Sequence, residues 1–175
     1  DNFSLERVNK KGAVFDNKKL NWLNGQHIMN SKSEELLNSI RLIISDWEVH
    51  SLSDEYFCSI ISHLKGRSKT LLDIVNQSEY FFNDPIKYDQ NAVVKCWDKE
   101  TPELLKLFAK KLLLLSDWEE ESIEKCINDY TEKKCVSKGK LIQPLRVSIC
   151  GSLTGPSMAD LIKLLGKEIC IRRIN

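Results

Sequence analysis

Arginine, lysine and glycine, rather than histidine or paired carboxylates, carry the chemistry this sequence can offer. Arg146 stands in Gln143-Pro144-Leu145-Arg146, and its guanidinium is a planar fork suited to a base edge or a phosphate. Gly155-Pro156-Ser157-Met158-Ala159 follows shortly after. Gly155 allows close approach to the backbone, and amides at the start of a helix capped by Ser157 can face an anion or a base edge. Lys65, Arg67 and Lys69 surround Gly66, and Lys138 and Lys140 flank Gly139. These are binding groups. Pro156 and Met158 also admit a purely structural reading, a helix-start turn with a core side chain, and basic clusters at helix junctions are commonly just solvated.

Catalytic signatures are missing. There is no GxxxxGK[ST], no GxGxxG after a strand and no zincin histidine pair. The six cysteines (Cys58, Cys96, Cys126, Cys135, Cys150 and Cys170) form no CxxC, and His27, His50 and His63 complete no ligand pattern. Catalytic residues, metal ligands and cofactors are therefore assigned to none of this chain, and the cysteines are expected to be buried free thiols in a reducing compartment.

The elements that must position these groups read as helices. Asp16 is a cap with Phe15 and Leu20 in staple spacing, and Trp22 and Leu23 are expected in the core. Ser31-Lys32-Ser33-Glu34 has capping-box spacing before an apolar face of Leu36, Leu37, Ile40, Ile43, Ile44 and Trp47. Ser53-Asp54-Glu55 starts a helix burying Phe57, Ile60, Ile61 and Leu64, and Gly66 breaks it. A fourth helix carries Leu71, Leu72, Ile74 and Val75 toward Tyr80. Asn83-Asp84-Pro85-Ile86 is the expected boundary.

A helix resumes after Asp89 with Ala92, Val93 and Trp97. Thr101-Pro102-Glu103 gives a cap, a proline at the first helical position and an early acid, ahead of Leu104, Leu105, Leu107, Phe108, Leu112, Leu113 and Leu115, a helix expected to be a central packing element. The next helix uses Ile123, Ile127 and Tyr130, and residues 133–140 form a basic loop. Pro144 then opens a short helix that Gly151 stops, and Ser157 caps another that ends at Gly166. Ser45-Asp46-Trp47-Glu48 recurs as Ser116-Asp117-Trp118-Glu119, which supports a division into two lobes without establishing a repeat. No period-two alternation is sustained, so the expected fold class is all-α.

Composition and charge bound the function. The 175 residues suffice for one substantial core or two small ones, and 42% hydrophobic and 29% charged residues are ordinary for a soluble domain. No apolar run approaches membrane-spanning length, the first residues lack a signal-peptide apolar region, and a cytoplasmic location is expected. The near-neutral net charge of +1 hides a polarity: residues 133–175 hold nine Lys or Arg against two acids, and residues 1–132 hold seventeen against twenty-three. A basic end on an acidic chain suits a polyanion, of which nucleic acid is the commonest, although a solvated face with no ligand has the same composition.

The run QPLRVSICGSLTGPSMADLIKLLGKEICIRRI (Gln143 to Ile174) resembles the C-terminal end of bacterial-type glutamyl-tRNA synthetases, a class I family. AVFDNKKLNWLNGQHI (Ala13 to Ile28) is similar to the segment of that family leading into its anticodon-binding part, and GRSKTL (Gly66 to Leu71) is a weaker third match. The resemblance implies a two-lobed helical bundle: residues 1–14 a remnant of the stem-contacting region, 15–84 a first anticodon-binding lobe and 85–175 a second. It implies anticodon contacts at Arg67, Arg146, Gly155, Pro156, Ser157, Met158 and Ala159, and the basic clusters beside them are expected to add auxiliary phosphate contacts at Lys65, Lys69, Lys138 and Lys140. Met158 and Ala159 stand where bulkier apolar residues occur in the family, so weaker base stacking is expected there.

The partner so implied is the tRNA for glutamate, with the tRNA for glutamine a second candidate. HIGH-type and KMSKS-type signatures are absent from the chain, and ATP, Mg and glutamate would be handled by the catalytic domain of the parent enzyme. The chain alone is expected to be silent in ATP–pyrophosphate exchange. No coiled-coil seam is present, and a monomer is expected. The alternative function is a helical protein-interaction adaptor whose basic end docks an acidic partner.

Overall fold

The computed structural model describes residues 15–43 and 52–175. Among the described residues the chain forms ten α-helices and no strand, the expected all-α class. In order they are α1 (Asn17–Asn30), α2 (Ser33–Ile43), α3 (Asp54–Leu64), α4 (Leu71–Phe82), α5 (Gln90–Cys96), α6 (Thr101–Leu113), α7 (Glu120–Lys134), α8 (Lys138–Cys150), α9 (Met158–Leu165) and α10 (Lys167–Ile174). A single 3₁₀ turn, Lys65–Arg67, separates α3 from the segment leading to α4. The expectations for residues 1–14, Ile44, Trp47 and Ser45–Glu48 lie outside the described residues.

Short polar side chains start most of these helices by accepting orphan backbone amides. Asp16 accepts from Lys18 and Lys19, Ser53 from Tyr56, Asp89 from Asn91 and Ala92, and Ser157 from Asp160. Thr70 and Asp73 form a reciprocal capping box on α4, which fixes the entry from the 3₁₀ turn. Ser31 does not cap α2: its hydroxyl donates to the His27 carbonyl at 2.8 Å and closes α1. At α6, the Thr101 hydroxyl bonds to Asp98, and it is the Asp98 carboxylate that accepts the Glu100 and Thr101 amides.

Two larger departures concern α1 and α8. Trp22 is 61% exposed and Leu23 47%, and only Ile28 of α1 is buried, so the expected core residues face outward. Phe15 and Leu20 are exposed too, so staple spacing alone buries nothing here. Pro144 does not open α8. Ser137 caps the helix seven residues before it, accepting from the Lys140 amide, and the supposed basic loop at Lys138–Lys140 is the first turn. A proline in the seventh place of a helix sacrifices one backbone bond, which the buried Leu141, Leu145 and Ile149 around it offset.

The core is one continuous cluster running from Ile28 to Ile174. Ile40, Ile60, Ile61, Leu64, Ile74, Leu105, Phe108, Leu112, Ile123 and Leu145 are among its fully buried side chains, each worth about 1.5–3 kcal/mol. The helix faces read for α3 and α7 are thus the buried ones; of that read for α6, Leu104, Leu105, Phe108 and Leu112 are buried and Leu107 and Leu115 partly so, whereas Leu113, like Ile43 and Leu72, is exposed. α9 and α10 bind back across the chain. The Tyr56 hydroxyl donates to the Leu164 carbonyl, the Trp118 indole to the Ile162 carbonyl and Lys167 Nζ to the Leu115 carbonyl. Cys126, Cys150 and Cys170 are buried, Cys58 and Cys96 partly so, and Cys135 is exposed in the left-handed position that ends α7.

Candidate nucleic-acid interface

The turn from α8 to α9 is built on two glycines that no other residue replaces cheaply. Gly151 ends α8 at φ 75°. A Cβ there would lie 2.6 Å from the Lys87 carbonyl oxygen, because the 85–89 segment crosses against it and the Asp89 amide donates to the Gly151 carbonyl at 2.8 Å. Gly155 has φ 153°, and a Cβ there would lie 2.7 Å from Arg146 Nη1 and 3.3 Å from the Tyr80 hydroxyl. Ser157 then caps α9, its hydroxyl also donating to the Asp160 carboxylate at 2.7 Å.

Two of the sequence-assigned arginines meet at this elbow. Arg67, exposed on the 3₁₀ turn, donates through Nη1 to the Gly155 carbonyl. Arg146, half-buried on α8, brings its guanidinium to the space where a Gly155 side chain would start. Its Nη1 is buried and makes no hydrogen bond, and among the described residues Arg146 has no ion pair. Burial lowers its pKa and the neighbouring Arg67 pushes the same way. Two guanidiniums with no carboxylate between them make a local excess of positive charge, the electrostatic requirement for holding an anion or a base carbonyl.

Beside the elbow lies a cleft of about 560 Å³ between the outer face of α4, the 83–87 segment and residues 150–155. Asn76, Gln77, Tyr80, Asn83, Ser152 and Thr154 line it, with Gly155 at its edge. Tyr80 is the functional candidate the sequence reading missed: in Tyr80-Phe81-Phe82 it reads as one more apolar residue, and its nearness to Gly155 is a tertiary fact. The cleft floor is held by Arg173, whose side chain is 5% exposed. It donates to the Tyr80, Ile149 and Asn83 carbonyls and to the Asp84 carboxylate at 2.7–3.0 Å.

Other assigned residues stand apart or turn inward. Pro156, Met158 and Ala159 are buried, their side chains facing the core, whereas Ser157 is exposed and Gly155 half-exposed. Lys65 Nζ donates to the Ser31 carbonyl at 2.9 Å and so ties α3 to the end of α1. Lys69 is exposed near the 3₁₀ turn. Lys138 faces Glu124 at 3.5 Å, and Lys140 pairs with Asp98 and Glu100. These two occupy the start of α8, whose 13 residues put them about 20 Å from its elbow end.

The broad basic end read from the sequence is therefore largely neutralised. Lys163 pairs with Glu119, and Arg172 and Arg173 with Asp84, in addition to the pairs of Lys138 and Lys140. Acids from residues 84–124 fold onto five of the basic end's nine cations, Lys133, Lys134 and Lys167 have no ion pair among the described residues, and at the elbow Arg67 and Arg146 meet with none. That meeting, and not a general basic face, distinguishes the elbow.

A family model described as "Anticodon binding domain" matches residues 29–175. The chain belongs to the anticodon-binding domain family. In this anticodon-binding domain the elbow and the Arg67 turn both fall inside the matched region. A glutamate–tRNA ligase of Chlorobium chlorochromatii is 37% identical over 99% of the chain, and one of Chloroherpeton thalassium is 34% identical over the same share. The crystal structure of a glutamate tRNA ligase from Elizabethkingia meningosepticum in complex with its amino acid superposes with a TM-score of 0.89 at 35% identity, covering 99% of the chain. The chain spans 36% of the length of the first two relatives and 34% of that crystallised chain. No described helix is long and apolar enough to cross a membrane.

Proposed function

We propose that this anticodon-binding domain reads the anticodon of the tRNA for glutamate as part of a glutamate–tRNA ligase. The observation that carries this is the convergence of Arg67 and Arg146 on the Gly155 backbone, unneutralised and next to a polar cleft. Single-stranded tRNA loops are read by splaying bases out and hydrogen-bonding their edges, while cations hold the phosphates. Arg67, Arg146, Gly155 and Ser157 present groups to the nucleotide. The buried Pro156, Met158 and Ala159 set the shape of the turn beneath it. Lys69 is free to take a phosphate, and Lys65, Lys138 and Lys140 do so only by exchanging their present partners.

Residues 15–84 and 85–175 act as two helical lobes sharing one core, with 1–14 leading from the stem-contacting region. The remaining two thirds of the ligase, in the cytoplasm, forms glutamyl-adenylate from glutamate and ATP with Mg and esterifies the tRNA end. The whole acts as a monomer, and the tRNA for glutamine is a second candidate substrate. The adaptor alternative loses its basis, since ion pairs within the chain already occupy most of the basic face.

The test is binding of the chain to glutamate tRNA and to the same tRNA with its anticodon replaced, at two salt concentrations. The expected result is a preference for the native anticodon that survives high salt and is lost in Arg146→Ala, with cognate affinity falling about 10-fold or more, in line with the roughly 1–3 kcal/mol of a base contact. Equal affinities that fall together with salt would mean phosphate contact only, and the assignment of Arg146 to a base would be wrong.

A further inference from the structure

We propose that Tyr80 is a specificity-determining residue of this site: its hydroxyl, with the Arg146 guanidinium, binds a carbonyl oxygen of one unstacked nucleobase lodged in the cleft between α4 and the elbow. This rests on the anticodon-reading function proposed above. Two buried polar atoms in the elbow lack any hydrogen-bond partner among the described residues, Tyr80 Oη and Arg146 Nη1. They approach the same point, since a Cβ on Gly155 would sit 3.3 Å from one and 2.7 Å from the other. Buried orphan polar groups are costly, and a fold that retains two of them close together, one on a residue that lines the cleft, keeps a donor pair that a ligand acceptor would satisfy.

The chemistry of that atom follows from the donors. Arginine only donates, and the Tyr80 phenol stays protonated because burial raises its pKa, so it too can donate. The shared ligand atom is an acceptor, which leaves a base carbonyl or a phosphate oxygen. The cleft lining decides between them. Its charged side chains favour neither, since Lys87 stands against Glu79 and Arg172 and Arg173 hold Asp84, and the rest of the polar lining is the amides Asn76, Gln77 and Asn83 with Thr154. Side-chain amides both donate and accept and so match the mixed donors and acceptors of a base edge, whereas a phosphate only accepts. The Tyr80 ring is braced against Phe81, centroids 4.6 Å apart, and its own carbonyl is held by Arg173, so the hydroxyl is presented on a fixed frame.

The experiment compares the chain with its Tyr80→Phe variant, which removes the hydroxyl and leaves the ring. Binding is measured to the anticodon stem-loop of glutamate tRNA and to loops with each anticodon base replaced singly, at two salt concentrations. The variant is expected to bind the cognate loop about 10-fold more weakly, to lose discrimination at one anticodon position by the same factor, and to keep the salt slope of the unaltered chain. Gly155→Ala, whose methyl displaces Arg146 from the same point, is expected to lose discrimination at that same position. Unchanged discrimination in Tyr80→Phe would overturn the proposal, as would a uniform loss over all loops with a shallower salt slope, which marks a phosphate oxygen. Failure of the unaltered chain to distinguish any loop would instead sink the anticodon-reading function itself, and the Tyr80 role with it.

Discussion

A half-buried arginine beside a second arginine, with no carboxylate to answer either, is an arrangement a fold keeps at a cost in stability. Desolvation lowers the Arg146 pKa, and an orphan buried donor costs about 1–3 kcal/mol. Arg146→Met is therefore expected to hold or raise stability in denaturant titrations while binding to glutamate tRNA falls. A loss of stability would show that Arg146 is a structural brace. Gly151 has the opposite character. Its positive φ and the Lys87 carbonyl 2.6 Å from a would-be Cβ make Gly151→Ala a backbone conflict, expected to cost about 1–3 kcal/mol, read as a lower urea midpoint at unchanged slope.

Among the elements, α10 decides how firmly the cleft is closed below. Its Arg173 reaches the end of α4, the end of α8 and Asp84, and three of its four hydrogen bonds go to carbonyls that two helix ends would otherwise leave without a partner. Arg173→Ala takes the donor from three carbonyls, at about 1–3 kcal/mol for a buried group left unpaired, while the half-exposed Asp84 keeps Arg172. Hydrogen exchange should rise in α10 and in the last turn of α4 before it rises in α3. Uniform acceleration over all helices would mean that α10 unfolds only with the whole core.

For the whole molecule, the decisive feature is that the acidic and basic segments pair with each other. Asp98, held by Lys140 and then by Thr101, has its pKa brought down from the usual carboxylate range to about 2. A depressed carboxylate contributes stability that is present above its unfolded pKa and lost as pH falls through the folded one. Acid unfolding should accordingly show a dependence between about pH 4 and pH 2 that Asp98→Asn reduces. An identical acid profile in the variant would mean that the pair is fully screened at the surface.

Local chemistry written in the sequence decided the class, most helix starts and the buried faces of α3, α6 and α7. Ser53, Asp89 and Ser157 find their amide partners within three residues, and a periodic apolar stripe has nowhere to go but the core. Gly151 and Gly166 were legible as helix stops for the same reason. What lay beyond was decided by partners distant along the chain. Trp22 has the composition of a core residue but no neighbour to cover it among the described residues, Pro144 was overruled by the earlier cap at Ser137, and the basic end met acids from residues 84–124. Tyr80 and Gly155 are 75 residues apart, and no pattern within either segment announces that folding sets them together. Secondary structure follows from nearest neighbours, whereas a binding site follows from which surfaces the core brings into contact.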